Sequence, residues 1–230
     1  MWEKYAPHLE ELRRRTITSI AILGITSCIG WAISGKVLET ISRWYMSGAQ
    51  LTAITPLDAA FARMNVSLAT GFVLAFPVVL YEALAFVIPA LKPEEKRMVY
   101  RAIAPGIGLF AVGVIFGGSV VLPVTMRFLS KIVSPNVITY IWSVNKTVSF
   151  ILGMLIAFGV IFEYPLVAVV LIKTGIVKVE TLKKHRRLAA LIILIIAGII
   201  TPDPTFFCQM MVAVPMYALY ELGILLGKLF

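Results

Sequence analysis

Residues 147–172 read TVSFILGMLIAFGVIFEYPLVAVVLI, and this run of 26 residues decides the fold class because it holds a single charged side chain, Glu163. As an α-helix it is roughly 39 Å long, which exceeds the ~30 Å hydrocarbon core of a bilayer. Polar and apolar residues do not alternate along it, as they would in a barrel strand. Since a backbone in lipid must satisfy its own hydrogen bonds, the run predicts a membrane-spanning α-helix.

Five more runs contain at most one charged residue: residues 16–35, 64–91 (which contains Glu82), 102–126, 188–202 and 204–220. The whole chain is 60% hydrophobic and 14% charged, whereas soluble domains are about 45–50% apolar and about 25% charged. We therefore predict an all-α integral membrane protein, a bundle of six transmembrane helices in one domain over residues 1–230. The predicted spans are 16–35, 65–91, 102–126, 147–172, 186–201 and 206–227.

The lysine and arginine residues predict the orientation of this bundle. If both termini and the loops near 92–101 and 173–187 share one side, that side carries 15 of the 21 basic residues. Because cytoplasmic loops are enriched in Lys and Arg, the pattern favours an N-in, C-in protein of the cell membrane. The net charge of +9 is then explained by orientation and by contact with anionic lipid, and a nucleic-acid surface is not expected.

The last two predicted spans are short. Residues 188–200 cover only ~20 Å as a helix, less than a bilayer core. This favours either a re-entrant or loop-extended helix, or a local thinning of the membrane.

Prolines in the other runs predict kinks that would curve the bundle into a concave wall, although membrane helices also simply tolerate them. These are Pro77, Pro89, Pro105, Pro123, Pro165 and Pro215. Gly113 and Gly117 form a GxxxG pattern suited to close helix contact.

Two glutamates are expected near the middle of the bilayer. Glu163 and Glu82 each lie ten residues before a lysine that marks a helix end, or ~15 Å along the axis. Ionisable groups at this depth are costly and usually functional. Each could be a protonated carboxyl bonded to a neighbouring helix, a polar contact for a partner helix, or a proton-coupled transport site.

On the basic side, the acidic residues are the exceptions. They form two adjacent pairs, Glu10 with Glu11 and Glu94 with Glu95. Carboxylates bind guanidinium groups through bidentate, charge-assisted hydrogen bonds, so the pairs could hold an arginine-bearing ligand. The residues alone favour the alternative, in which the glutamates pair with neighbouring arginines and lysines on the surface.

Other function classes have less support from the sequence. HExxH, GxSxG and P-loop patterns are absent, and His8 and His185 lie in segments predicted to be cytoplasmic, with no evident metal partners. We therefore expect no enzyme activity, cofactor or metal site. A proton-coupled secondary transporter for small solutes, with Glu163 or Glu82 carrying protons, stays open as the alternative class.

Five segments, in order along almost the whole chain, resemble the TatC family, the core subunit of the twin-arginine protein translocase. They are HLEELRRR at 8–15, FPVVLY at 76–81, FVIPAL at 86–91, AFGVIFEYP at 157–165 and TPDP at 201–204. The resemblance implies a receptor that binds, at the cytoplasmic face, the twin-arginine signal peptides of folded precursor proteins. It also implies single-span partner subunits of the TatA and TatB type, assembly of several copies, and transport driven by the proton motive force.

The resemblance assigns roles to particular residues. Glu11 and Glu95 correspond to the two signal-peptide-binding glutamates, Glu10 and Glu94 flank them, and Arg13, Arg15 and Phe86 match further positions of the binding region. Glu163 corresponds to the family's buried glutamate, and Asp203 lies in the external turn. Glu82 stands where the family more often has an amide, so no family role is carried over to it.

Overall fold

A computed structural model describes residues 6–45, 51–87, 93–131, 142–201 and 206–229. These described residues form nine α-helices, one π-helical turn and two strands of two residues each. The elements are α1 (Ala6–Tyr45), β1 (Leu51–Thr52), α2 (Asp58–Val87), α3 (Pro93–Phe116), the π-helical turn (Gly117–Val121), α4 (Leu122–Lys131), β2 (Trp142–Ser143), α5 (Val144–Phe162), α6 (Tyr164–Lys173), α7 (Val179–Lys184), α8 (Arg186–Ile200) and α9 (Phe206–Leu229).

Five helical segments of the described chain are long and apolar enough to cross a membrane. They are Glu10–Tyr45, Asp58–Phe86, Val99–Ser130, Val144–Lys173 and Phe206–Lys228. Large apolar side chains are exposed on the helices, such as Ile199 at 79%, as expected for surfaces that face lipid. The predicted all-α membrane fold class is confirmed.

Of the two spans predicted to be short, the sixth corresponds to α9, which has 24 residues and is long enough to cross a membrane, so the prediction is wrong for that span. The fifth corresponds to α8, which has 15 residues. At 1.5 Å per residue α8 is ~22 Å long, shorter than the ~30 Å hydrocarbon core. The count of six spans therefore stays a prediction, as do the concave shape and the position of the termini.

A feature that the sequence did not predict is a short parallel ladder between β1 and β2. Leu51 pairs with Trp142, and Thr52 pairs with Ser143. The ladder connects the segment before α2 to the start of α5. It is the one departure from all-α structure among the described residues.

Helices α1 and α2 approach closely because small residues face each other. A Cβ added at Gly30 would collide with the backbone oxygen of Ser67, and one added at Gly71 would collide with Ser27. Two hydrogen bonds cross the same contact: Thr26 Oγ1 donates to the carbonyl of Gly71 (2.8 Å), and Ser67 Oγ donates to that of Ser27 (2.6 Å). Close backbone approach and interhelical hydrogen bonds are the usual ways in which membrane helices associate. These contacts fix the register of α2 against α1.

The GxxxG pattern makes the second close contact, between α3 with its π-helical turn and α5. A Cβ at Gly113 would overlap the carbonyl oxygen of Phe158 and lie 2.8 Å from Cβ of Phe162. One at Gly117 would lie 3.0 Å from Cβ of Phe158, whose side chain is fully buried. The predicted close helix contact at Gly113 and Gly117 is confirmed.

The apolar run at 147–172 is divided into two helices. The helix α5 ends at Phe162, Glu163 forms a turn, and α6 begins at Tyr164. Pro165 explains the break, because proline lacks an N–H, its ring crowds the carbonyl four residues earlier, and it is favoured in the first turn of a helix. The span predicted over 147–172 is confirmed as one candidate span, Val144–Lys173, which is interrupted at this one residue.

Candidate functional site

An acidic cavity opens at the end of the bundle where α1 begins and α2 ends. Its volume is about 760 Å³, and its lining residues are Glu10, Glu11, Arg14, Arg15, Thr18, Tyr81 and Glu82. The first five come from the first turns of α1, and the last two come from the end of α2. The cavity therefore depends on the register that the small residues of α1 and α2 set further along the helices.

Arg15 connects the two helices within this acidic cavity. Its Nη2 donates to Oε1 of Glu11 at 2.7 Å, its Nε donates to the same oxygen at 3.1 Å, and its Nη1 donates to Oε2 of Glu82 at 2.9 Å. The side chains are only 25%, 28% and 16% exposed for Arg15, Glu11 and Glu82. Charge-assisted hydrogen bonds between partly buried groups are less screened by salt than exposed ones.

The bridge leaves one oxygen of each carboxylate open. Glu11 accepts through Oε1 alone and Glu82 through Oε2 alone, so Oε2 of Glu11 and Oε1 of Glu82 accept no hydrogen bond from the described part of the chain. A carboxylate has lone pairs on both oxygens. Each glutamate can therefore accept a further N–H donor without giving up Arg15.

An apolar groove of about 430 Å³ continues from the acidic cavity between α1 and α2. Arg15 and Glu82 line both spaces. The other lining residues of the apolar groove are Leu12, Thr16, Ser19, Ile20, Leu23, Phe72, Val79, Ala83 and Phe86. The two spaces lie side by side at the start of α1, and the apolar groove extends further along the helices, to Leu23 and Phe72, than the acidic cavity does.

The structure brings together four of the residues that were predicted as a binding site. Glu10, Glu11 and Arg15 line the acidic cavity, and Phe86 lines the apolar groove. Arg13 lies on α1 as well, but its side chain is exposed and is not among the residues that line either space.

For three other predicted residues, the structure does not describe the side chain. Glu94 and Glu95 follow Pro93 in the first turn of α3, but their side chains lie outside what the structure describes. Asp203 lies outside the described residues altogether. The predicted partnership of Glu11 with Glu95 thus stays a prediction.

Glu163 occupies a separate, buried position at the turn between α5 and α6. It is 6% exposed, and neither carboxyl oxygen has a hydrogen-bond partner in the described residues. The backbone N–H of Phe110 is near enough to act on the carboxyl electrostatically, but it does not meet hydrogen-bond geometry. A Cβ added at Gly106 of α3 would lie 3.1 Å from Oε2 of Glu163, so that glycine leaves the space for the carboxyl.

Sequence reasoning missed the role of Glu82 in the acidic cavity, and it did not single out Arg14, Thr18 or Tyr81. The four-residue spacing of Glu11 and Arg15 was a readable signal, because such pairs meet on one helix face. Nothing in the sequence indicated which residue of α2 lies beside them. For metal binding, no suitable group of three or more His, Cys, Asp or Glu side chains occurs among the residues that the structure describes.

Taken together, these features define a class: a multi-pass helical membrane protein with an acidic cavity at one end of its bundle and an adjoining apolar groove. The sequence profile of the family described as "Sec-independent protein translocase protein (TatC)" matches residues 7–215. The chain belongs to the TatC family, which confirms the resemblance found in its sequence motifs.

Individual relatives agree with this assignment over nearly the full length. The Sec-independent protein translocase protein TatC of Deinococcus radiodurans is 36% identical, over 97% of this chain and 85% of that protein. The protein of the same name from Aquifex aeolicus is 36% identical over 96% of this chain and 93% of its own length. A crystal structure described as "Twin Arginine Translocase Receptor- TatC" superposes with a TM-score of 0.86, at 36% identity, over 96% of this chain and 98% of that one.

Proposed function

We propose that this chain is the receptor and core component of a twin-arginine translocase, and that it binds the twin-arginine signal peptides of folded precursor proteins. The observation that carries the proposal is the continuity of the acidic cavity with the apolar groove. A peptide that bears arginines followed by an apolar stretch matches this order of surfaces. The arginines would meet Glu11 and its neighbours, and the apolar stretch would lie along the apolar groove, which begins beside Phe86 and extends to Leu23 and Phe72.

Glu95 is proposed as a further carboxylate of the same site. It lies in the first turn of α3, which begins six residues after the end of α2, and the end of α2 lines the acidic cavity. Glu94 and Glu10 flank the two principal glutamates and would add negative charge. Arg13 would contribute to the local charge pattern from the exposed face of α1.

The setting of this site is also part of the proposal. The end of the bundle that carries the acidic cavity lies on the cytoplasmic side of the cell membrane, as the distribution of basic residues favours. The chain forms a single TatC-like membrane domain and assembles with further copies and with TatA-type and TatB-type single-span subunits. Transport then uses the proton motive force. Membership of a protein-translocase family removes the support for the small-solute transporter alternative.

Glu163 is proposed as a polar contact for the membrane helix of a partner subunit. Support comes from its two buried carboxyl oxygens, which find no partner in the described chain. Because the side chain is buried, a partner would reach it only if α3 and the turn between α5 and α6 move apart.

Charge reversal tests the proposed peptide site. In Glu11→Lys and Glu95→Lys, a lysine faces the peptide arginines, so photo-crosslinking of a twin-arginine peptide to the membrane-embedded protein is expected to be lost. Glu39→Lys is the matched control, since Glu39 pairs with Arg43 at four-residue spacing on the exposed far end of α1 (2.5 Å). Unchanged crosslinking in Glu11→Lys would contradict the site, whereas unchanged crosslinking in Glu95→Lys alone would remove Glu95 from it.

A further inference from the structure

We propose that Glu82 is a further arginine-binding carboxylate of this site, beside Glu11 and Glu95. Arg15 positions Glu11 and Glu82 as a pair, each of which contacts one guanidinium of the twin-arginine peptide, and Glu95 adds negative charge. This inference rests on the proposed function and extends it to two residues. Glu82 becomes a determinant of specificity, and Arg15 becomes a positioning residue that acts through the two carboxylates.

The geometry of the Arg15 bridge is the first argument. One guanidinium contacts carboxylates from two helices, at 2.7 Å and 3.1 Å to Glu11 and at 2.9 Å to Glu82. A guanidinium is planar and rigid, so it fixes the direction of both carboxylates relative to each other. A lysine, as a compact point charge on a flexible stem, would not fix both.

The open oxygens are the second argument. Oε2 of Glu11 and Oε1 of Glu82 accept nothing from the described residues, and both side chains line the acidic cavity. The single positive charge of Arg15 is shared between two negative charges, so the three groups together carry a net charge of −1. An incoming guanidinium therefore meets net attraction, and carboxylate oxygens that accept nothing from the described residues, without displacing Arg15.

The position of Glu82 is the third argument. It lines the acidic cavity and also the apolar groove, whereas Glu10 and Glu11 line the cavity alone. In a peptide whose apolar stretch follows its arginines, the arginine nearer to the apolar stretch would lie at this junction. We therefore assign Glu82 to the second arginine of the pair and Glu11 to the first.

A double-mutant cycle tests this assignment in the full-length protein in lipid nanodiscs. Equilibrium binding is measured for wild type and Glu82→Gln with a twin-arginine peptide and with two versions in which either the first or the second arginine is replaced by glutamine. Because Glu82→Gln removes a charge-assisted hydrogen bond, it is expected to weaken binding of the twin-arginine peptide about tenfold or more. Against the peptide that lacks its second arginine, the same substitution is expected to change binding less than about twofold.

Two further variants test whether Arg15 positions the two carboxylates for binding or only stabilises the fold. Arg15→Lys keeps the charge but loses the two-sided bridge, so it is expected to lower the preference for arginine over lysine peptides while the thermal unfolding temperature stays close to wild type. Glu39→Gln, in the exposed pair at the far end of α1, is expected to leave all binding constants unchanged.

The outcomes distinguish this inference from the function on which it rests. If Glu82→Gln weakens binding equally for all three peptides, or not at all, Glu82 is not an arginine ligand and the inference is overturned while the proposed function stands. The same holds if Arg15→Lys retains the full preference for arginine. If wild type binds twin-arginine and twin-lysine peptides equally, the proposed function and this inference both fail.

Discussion

Two glutamates of this chain, Glu82 and Glu163, lie in apolar segments but have opposite surroundings. Glu82 shares a guanidinium with Glu11 through Arg15 and faces an open cavity. Glu163 is buried without a hydrogen-bond partner in the described residues. A buried polar group without a partner costs about 1–3 kcal/mol, so the position of Glu163 reduces stability in the isolated chain.

Removal of the Glu163 carboxyl is expected to stabilise the chain and impair its assembly. Glu163→Leu fills a similar volume with apolar atoms, so the free energy of unfolding should rise by about 1 kcal/mol. Thermal unfolding in detergent measures the stability, and co-purification with TatA-type and TatB-type subunits measures the association.

Glu163→Gln is the control for this prediction, because a buried amide also needs hydrogen-bond partners and should give no gain in stability. Loss of several kcal/mol in Glu163→Leu would show that the carboxyl is satisfied in the chain itself. Full association and transport in that variant would remove Glu163 from the partner contact.

At the scale of residues, part of the acidic cavity was predictable from the sequence. The spacing of Glu11 and Arg15 places them on one helix face, and the internal pairing that the residues alone favoured is confirmed for this pair. The contact of Arg15 with Glu82 was not predictable, because it depends on how far α2 is displaced along α1. That displacement is set by contacts at Gly30 and Gly71, more than a turn away from the acidic cavity.

At the scale of helices, close approach at glycines is what holds the bundle together. Gly113 leaves no room for a Cβ against Phe158 and Phe162, whereas a Cβ at Gly108, on the same helix α3, would meet nothing within 4 Å. The two positions differ in packing and share the same secondary structure.

This difference predicts opposite effects for one substitution. Gly113→Ala is expected to lower the free energy of unfolding by about 1–3 kcal/mol, since α3 and α5 must move apart. Gly108→Ala should leave it unchanged or raise it by up to about 1 kcal/mol, because alanine favours the helix. Thermal or denaturant unfolding of both variants in the same detergent provides the measurement. Equal stability of the two variants would contradict the close contact at Gly113.

Helix boundaries were less predictable than helix positions. The run at 147–172 gave no sign in its hydrophobicity that it divides at Glu163, and Pro165 was the one local signal. The short helix α8 followed from the limits of its uncharged run, Arg187 before it and the prolines after it. The ladder of β1 and β2 joins segments about 90 residues apart, and two-residue strands carry too little pattern to be recognised.

At the scale of the whole molecule, composition and motif order were enough for the fold class and the family. Apolar runs of 20 or more residues have few alternatives in a membrane, so they predict helices well. The number of membrane crossings depends on how α8, at 15 residues, meets the bilayer, and that is a property of the protein and lipid together. The acidic cavity is likewise a property of the assembled molecule, since two helices contribute its lining.

The most direct test of the central claim is equilibrium binding of two signal peptides to the full-length protein in lipid nanodiscs. One peptide carries consecutive arginines, and the other carries lysines at the same positions. Because lysine keeps the charge but loses the bidentate hydrogen bonds, we expect the twin-arginine peptide to bind about tenfold more tightly or better. Equal affinity for the two peptides would show that the chain does not recognise consecutive arginines.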